Sequence, residues 1–131
     1  MDLFSTSNPD SRMEDMPIAA LEQVANYFQA LSDPTRLHIL NLLQDGERNV
    51  GELAQLCKFT SANISRHLAI LGKHGLVART SRGTSVYYRI ADESVYALCD
   101  LVCGNIGRQY EQTALSRHPF MQAAKNTSAK K

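Results

Sequence analysis

The 131-residue sequence has no apolar run near the roughly 18 residues needed to cross a bilayer. Its first fifteen residues are too polar for a secretory leader. A soluble, cytoplasmic protein with no membrane partner is therefore expected. Cysteine is scarce and odd in number, three in all. That count argues against a disulfide scaffold and for thiols that are free, metal-bound or redox-active. No internal repeat is present. Residues 58–89 lack carboxylates altogether.

What is present is an ordinary globular mixture, 44% hydrophobic and 21% charged, which excludes a collagen-like or wholly disordered chain. The length is that of a single domain. A net charge of +1 hides a strong asymmetry. Residues 1–57 carry nine acids against three Lys/Arg, a balance of −6. Residues 58–89 carry six Lys/Arg and no acid, +6, together with His67 and His74, and residues 90–131 carry four acids against five bases, +1. A 32-residue block without a carboxylate predicts a surface that faces a polyanion.

Residues 1–16 are polar and aperiodic and read as a flexible arm; residues 17–117 hold the periodic segments; residues 118–131 read as a flexible basic tail. Pro17 opens a first helix whose Leu21, Val24, Ala25, Phe28 and Leu31 share a face. Asp33 and Pro34 restart the chain as a second helix with Leu37, Leu40 and Leu43 as its buried stripe. Asn49 and Glu52 have capping-box spacing and begin a short third helix containing Leu53 and Leu56. Thr60 and Ser61 cap a fourth, with Ile64, Leu68 and Leu71 inward. Two β-rich runs hinged at Arg82, Gly83 and Thr84 read as a hairpin. Asp92 caps a last helix to about Ser116, with Val95, Leu98, Val102 and Ile106 inward. The expected fold is mainly α with a small β-hairpin, in the order H-H-H-H-β-β-H.

The short Lys58-Phe59-Thr60 link gives the third and fourth helices helix-turn-helix spacing. The narrow apolar face of the fourth helix leaves Ser61, Ala62, Asn63, Ser65, Arg66 and Ala69 to point outward. Small residues allow close approach to a major groove; Asn63 and Arg66 can read base edges, and Ser61 and Ser65 can donate to phosphates. Arg82 and Thr84 at the hairpin tip suit backbone or minor-groove contact. His67 has two readings, a hydrogen bond that closes the buried face or a phosphate contact.

The runs Leu31-Ser-Asp-Pro-Thr-Arg-Leu-His-Ile-Leu40, Val50-Gly-Glu-Leu-Ala54, Ser61-Ala-Asn-Ile-Ser-Arg-His-Leu68 and Gly75-Leu-Val, with Arg82-Gly83 and Tyr87-Tyr88, together resemble the ArsR/SmtB repressors. The resemblance covers residues 18–110. It implies a winged helix-turn-helix homodimer built through the first and last helices, with the fourth helix as recognition helix and the hairpin as wing. It also implies an inverted-repeat operator and an effector that releases it. No cofactor is required for DNA binding in this reading.

The sequence departs from the family's metal sites. Asn49 and Gly51 stand where a metalloid box on the third helix would have cysteines. Asp92 matches the first ligand of the family's zinc site on the last helix, but Ser94, Asn105 and Arg108 occupy the remaining places, so zinc is not expected. Cys99 and Cys103 remain, four apart and so one turn apart on one helical face. They are the candidate effector site, suited to As(III) or Sb(III), with Cys57 second to them and better explained as core. The pair also fits small buried or dimer-seam residues, or a redox or persulfide switch. No nucleophile–base pair with a supporting motif suggests an enzyme. An interaction module without DNA binding would place apolar groups where the fourth helix has Ser, Asn and Arg.

Overall fold

The computed structural model describes residues 15–112. They fall into two units, one ending at Ala91 and one beginning at Asp92.

In the first unit, α1 (Ile18–Leu31) follows Pro17 and ends where the Ser32 backbone N–H and hydroxyl both donate to Gln29 O. The next helix, α2 (Pro34–Leu43), is capped as the sequence suggests. Asp33 Oδ1 accepts from the backbone N–H groups of Thr35 at 2.8 Å and Arg36 at 3.1 Å, and Pro34 sits in the first turn. A two-residue strand, β1 (Arg48–Asn49), leads into α3 (Val50–Cys57). Here the capping box is complete: Glu52 N–H donates to Asn49 Oδ1, and Asn49 N–H donates to Glu52 Oε1. The following helix, α4 (Ser61–Lys73), is capped by Thr60, whose hydroxyl accepts from Asn63 N–H.

Strands β2 (Val77–Arg82) and β3 (Ser85–Ile90) form the hairpin, with Arg82 opposite Ser85 across the two-residue turn Gly83-Thr84. Gly83 has φ +61° while Thr84 does not enter positive φ, the pattern of a II′ turn that suits the right-handed strand twist. β1 joins the free side of β3 with Arg48 opposite Tyr88 and Asn49 opposite Tyr87, so the sheet order is β1-β3-β2, antiparallel throughout. The hairpin is as expected, whereas the third strand, only two residues long, carries no strand signal in the sequence.

The core of this unit consists of Ile39, Leu53, Ile64, Leu68, Leu71 and Leu76, all fully buried. One helix chooses a different face from the one expected, and a second leaves one of its two leucines outside while burying Cys57 as expected. In α2 the buried residues are Ile39, Leu40 and Leu43, while Leu37 is 41% exposed. In α3 they are Leu53, Ala54 and Cys57, while Leu56 is 46% exposed. At about 100° per residue, Leu37 and Leu56 each lie over 100° from the centre of the buried trio. Phe28 of α1 is also exposed, and only Ala30 and Leu31 of that helix are buried.

The second unit contains α5 (Ser94–Gln112). Asp92 Oδ1 accepts from both the backbone N–H and the hydroxyl of Ser94 at its start. Val95 is buried, and Leu98 and Ile106 are half-buried. Val102, expected inward, is 48% exposed, beside Leu101 at 72%. The expected helix end near Ser116, the arm of residues 1–16 except its last two, and the tail lie outside the described residues.

Candidate nucleic-acid interface

The geometry of α4 follows from its apolar triad. Ile64, Leu68 and Leu71 are completely buried, and helical rotation sends the residues half a turn away outward. Ala62, Ser65, Arg66 and Ala69 occupy that outer face and are exposed, as is Ser61 at the helix start. Arg66, 200° round from Ile64, stands where a long cation extends farthest from the core.

Asn63 departs from the expected outward position. It is half-buried, and its Oδ1 is shielded from solvent with no hydrogen-bond partner. Asn63 and His67 are one turn apart and flank the same edge of the buried stripe, so neither belongs to the outer face. His67 takes the first of its two readings. Its Nδ1 is 3.2 Å from Arg36 Nη1. A guanidinium can only donate, so Nδ1 accepts and the ring proton sits on Nε2.

Arg36 was no candidate in the sequence, yet it joins three elements. Besides meeting His67 of α4, its Nε donates to Ala30 O at 2.7 Å and its Nη2 to Gln29 O at 3.1 Å, closing the last carbonyls of α1. No basic residue of α1 itself does so. Asp33 completes the cluster. Burial works against its charged form. The backbone N–H groups of Arg36 and Thr35, then the charge of Arg36, outweigh that and hold its carboxyl below the usual carboxylate range.

On the wing, Thr84 is exposed in the turn. Arg82 does not project freely from the tip as expected. Its Nη1 is ion-paired with Glu47 Oε1, and its guanidinium lies over the Tyr87 ring, 5.1 Å from the centroid. Thirty-five residues separate Arg82 from Glu47, a distance at which no local sequence signal operates. An open groove runs between the wing turn and the start of α3, lined by Asn49, Val50, Gly51, Thr84, Ser85 and Val86. Asn49, at one of the two metalloid-box positions, is engaged in the capping box.

The thiols differ in setting. Cys57 is buried at the end of α3, and that burial pushes its pKa up. Cys99 is half-buried and Cys103 exposed, one turn apart on α5. Burial first, then the neighbouring Cys103 and Asp100, raise the pKa of Cys99, so it is chiefly a protonated thiol at neutral pH. Among the described residues no group of three or more His, Cys, Asp or Glu is placed to hold a metal ion.

Residues 33–79, which hold α2, α3, α4 and the beginning of β2, match the family model described as bacterial regulatory protein, arsR family. Over 88 residues the chain is 42% identical to an HTH-type transcriptional regulator of Mycobacterium tuberculosis, covering 67% of this chain and 39% of that protein. Over 85 residues it is 36% identical to a transcriptional repressor SmtB homolog of Synechocystis, covering 65% of this chain and 64% of that one. The chain thus spans less than two thirds of the length of either relative. Among solved structures, it is similar to the homodimeric winged helix-turn-helix DNA-binding domain of a possible ArsR-family transcriptional regulator from Mycobacterium bovis. There the TM-score is 0.60 at 34% identity, over 86% of this chain and 97% of that chain.

Proposed function

The chain belongs to the ArsR family of bacterial regulatory proteins, and on that premise we propose that it is a homodimeric, non-enzymatic repressor that binds an inverted-repeat operator and leaves it when an effector binds. The observation that carries the reading is the outer face of α4, where Ser61, Ser65 and Arg66 are exposed opposite a fully buried triad. The acid-free stretch of residues 58–89 adds the charge a phosphate backbone attracts. Arg66 is assigned to base edges, Ser61 and Ser65 to phosphates, and Thr84 to the backbone beside the wing. Dimerisation is assigned to α1 and α5, supported by the exposed Ile18, Phe28, Leu101 and Val102 and by the homodimeric state of the M. bovis relative.

The effector is assigned to Cys99 and Cys103, and its chemistry to As(III) or Sb(III). Soft thiolates one helical turn apart chelate a thiophilic centre without remodelling the backbone. A third ligand would come from water, a small thiol or the partner protomer. Binding that repacks the two protomers mis-spaces the recognition helices, and a coupling of roughly 1–3 kcal/mol changes operator occupancy several-fold to a hundred-fold. The test is operator-binding anisotropy over a salt series, with As(III), Sb(III), zinc and polysulfide titrated in parallel under reductant. Salt-dependent binding released by As(III) or Sb(III) supports the reading. Absence of duplex binding rejects it, and release by polysulfide alone replaces the metalloid with sulfur chemistry at the same thiols.

A further inference from the structure

Alternation along the strands gives Arg82 and Tyr87 a shared face, and the ion pair brings Glu47, just before β1, to the same side. Arg82 is opposite Ser85, Tyr87 lies two residues on from Ser85 on the same face, and Tyr87 is opposite Asn49 of β1. Glu47 precedes Asn49 by two. The Arg82 side chain therefore runs diagonally across β3, rests over the Tyr87 ring and ends on the Glu47 carboxylate. The carboxylate comes from outside the basic stretch, which has none of its own. It is also held in place: Arg48 Nε donates to Leu42 O at 3.1 Å and Arg48 is paired with Tyr88, which fixes the turn that carries Glu47.

We infer that Glu47 is an internal competitor for the DNA phosphate that Arg82 would otherwise hold, and so a residue that sets how tightly the wing grips a duplex of any sequence. The inference rests on the DNA-binding reading above. An exposed ion pair is weak enough to exchange, and the side chains of Arg82 and Glu47 remain 57% and 30% accessible. On binding, the guanidinium gives up the carboxylate for a phosphate oxygen while keeping the Tyr87 ring as its platform, with no change of backbone. Because a phosphate contact carries no sequence information, this competition lowers affinity for specific and random duplexes alike. It thereby limits retention on non-operator DNA.

The test measures anisotropy of a random-sequence duplex over a salt series with the full chain, Glu47→Gln, Arg82→Ala and the double variant. Glu47→Gln is expected to tighten binding about two- to fivefold, and Arg82→Ala to weaken it and flatten the salt slope by about 0.9. With Arg82 absent, Glu47→Gln should change affinity by less than about twofold, since the competition acts through the arginine. Equal tightening in both backgrounds would overturn the inference by reducing Glu47 to a plain negative charge. Unchanged or weaker binding by Glu47→Gln also overturns it while leaving the DNA-binding reading intact. A wild-type chain that binds no duplex removes both.

Discussion

Arg36 Nη1 meets His67 Nδ1 at 3.2 Å while the same guanidinium closes Ala30 O and Gln29 O, so one side chain joins the end of α1 to α4. Arg36→Ala is expected to lower unfolding free energy by about 1–3 kcal/mol, since it orphans the part-buried Ala30 O and the imidazole, while Gln29 O keeps its bonds from Ser32. His67→Ala should cost about 1 kcal/mol. Urea denaturation of both variants and their combination should give a double loss smaller than the sum. Strict additivity would show that the two side chains do not support each other.

Arg66→Ala should reduce operator affinity by about 1–3 kcal/mol, and affinity for random duplex much less, with Tm unchanged because the side chain is exposed. Competition anisotropy measures the specificity ratio. An unchanged ratio would remove Arg66 from base readout.

Asp33 gives a pH test. Its folded carboxyl titrates below the unfolded value of about 3.9. The stability it contributes is therefore complete above that value and is lost as pH falls through the lower folded pKa. Asp33→Asn keeps a capping oxygen but removes the charge. The variant should be less stable than wild type at neutral pH, and the gap should shrink in acid. Asp33→Ala should cost about 1 kcal/mol, since it removes the cap as well. Urea midpoints across a pH series check both.

Cys99→Ser and Cys103→Ser should each retain operator binding and lose release by As(III). Because the Cys99 pKa is raised, metalloid capture displaces a proton, and apparent affinity should rise with pH from neutral towards the raised value. A pH-independent response would move the capture site away from Cys99.

Signals confined to a few residues were readable without the structure. The caps at Asp33, Asn49–Glu52 and Thr60, the turn at Gly83 and the triad of α4 all depend on neighbours within one turn. Leu37 falls outside the buried stripe expected for it because apolar residues three apart fit either of two adjacent faces, and only the opposing elements decide between them. The contacts that bear on the candidate interface, Arg36 with His67 and Arg82 with Glu47, span 31 and 35 residues. The inward turn of Asn63 likewise depends on what packs beside it.

The two-residue strand β1 has a mechanical consequence. Asn49 is both the β3 partner of Tyr87 and the residue that caps α3. The wing is therefore stitched to the helix that precedes α4, and it cannot swing without straining that cap. Under the proposed DNA binding, hairpin and α4 would reach a duplex as one preassembled piece, and little conformational entropy would be surrendered in ordering them at the encounter. Loosening the stitch, for example with Asn49→Gly, should leave the partners of the encounter unchanged. It should slow association and make it more costly in entropy, an effect that calorimetry and stopped-flow kinetics would register separately from any lost contact.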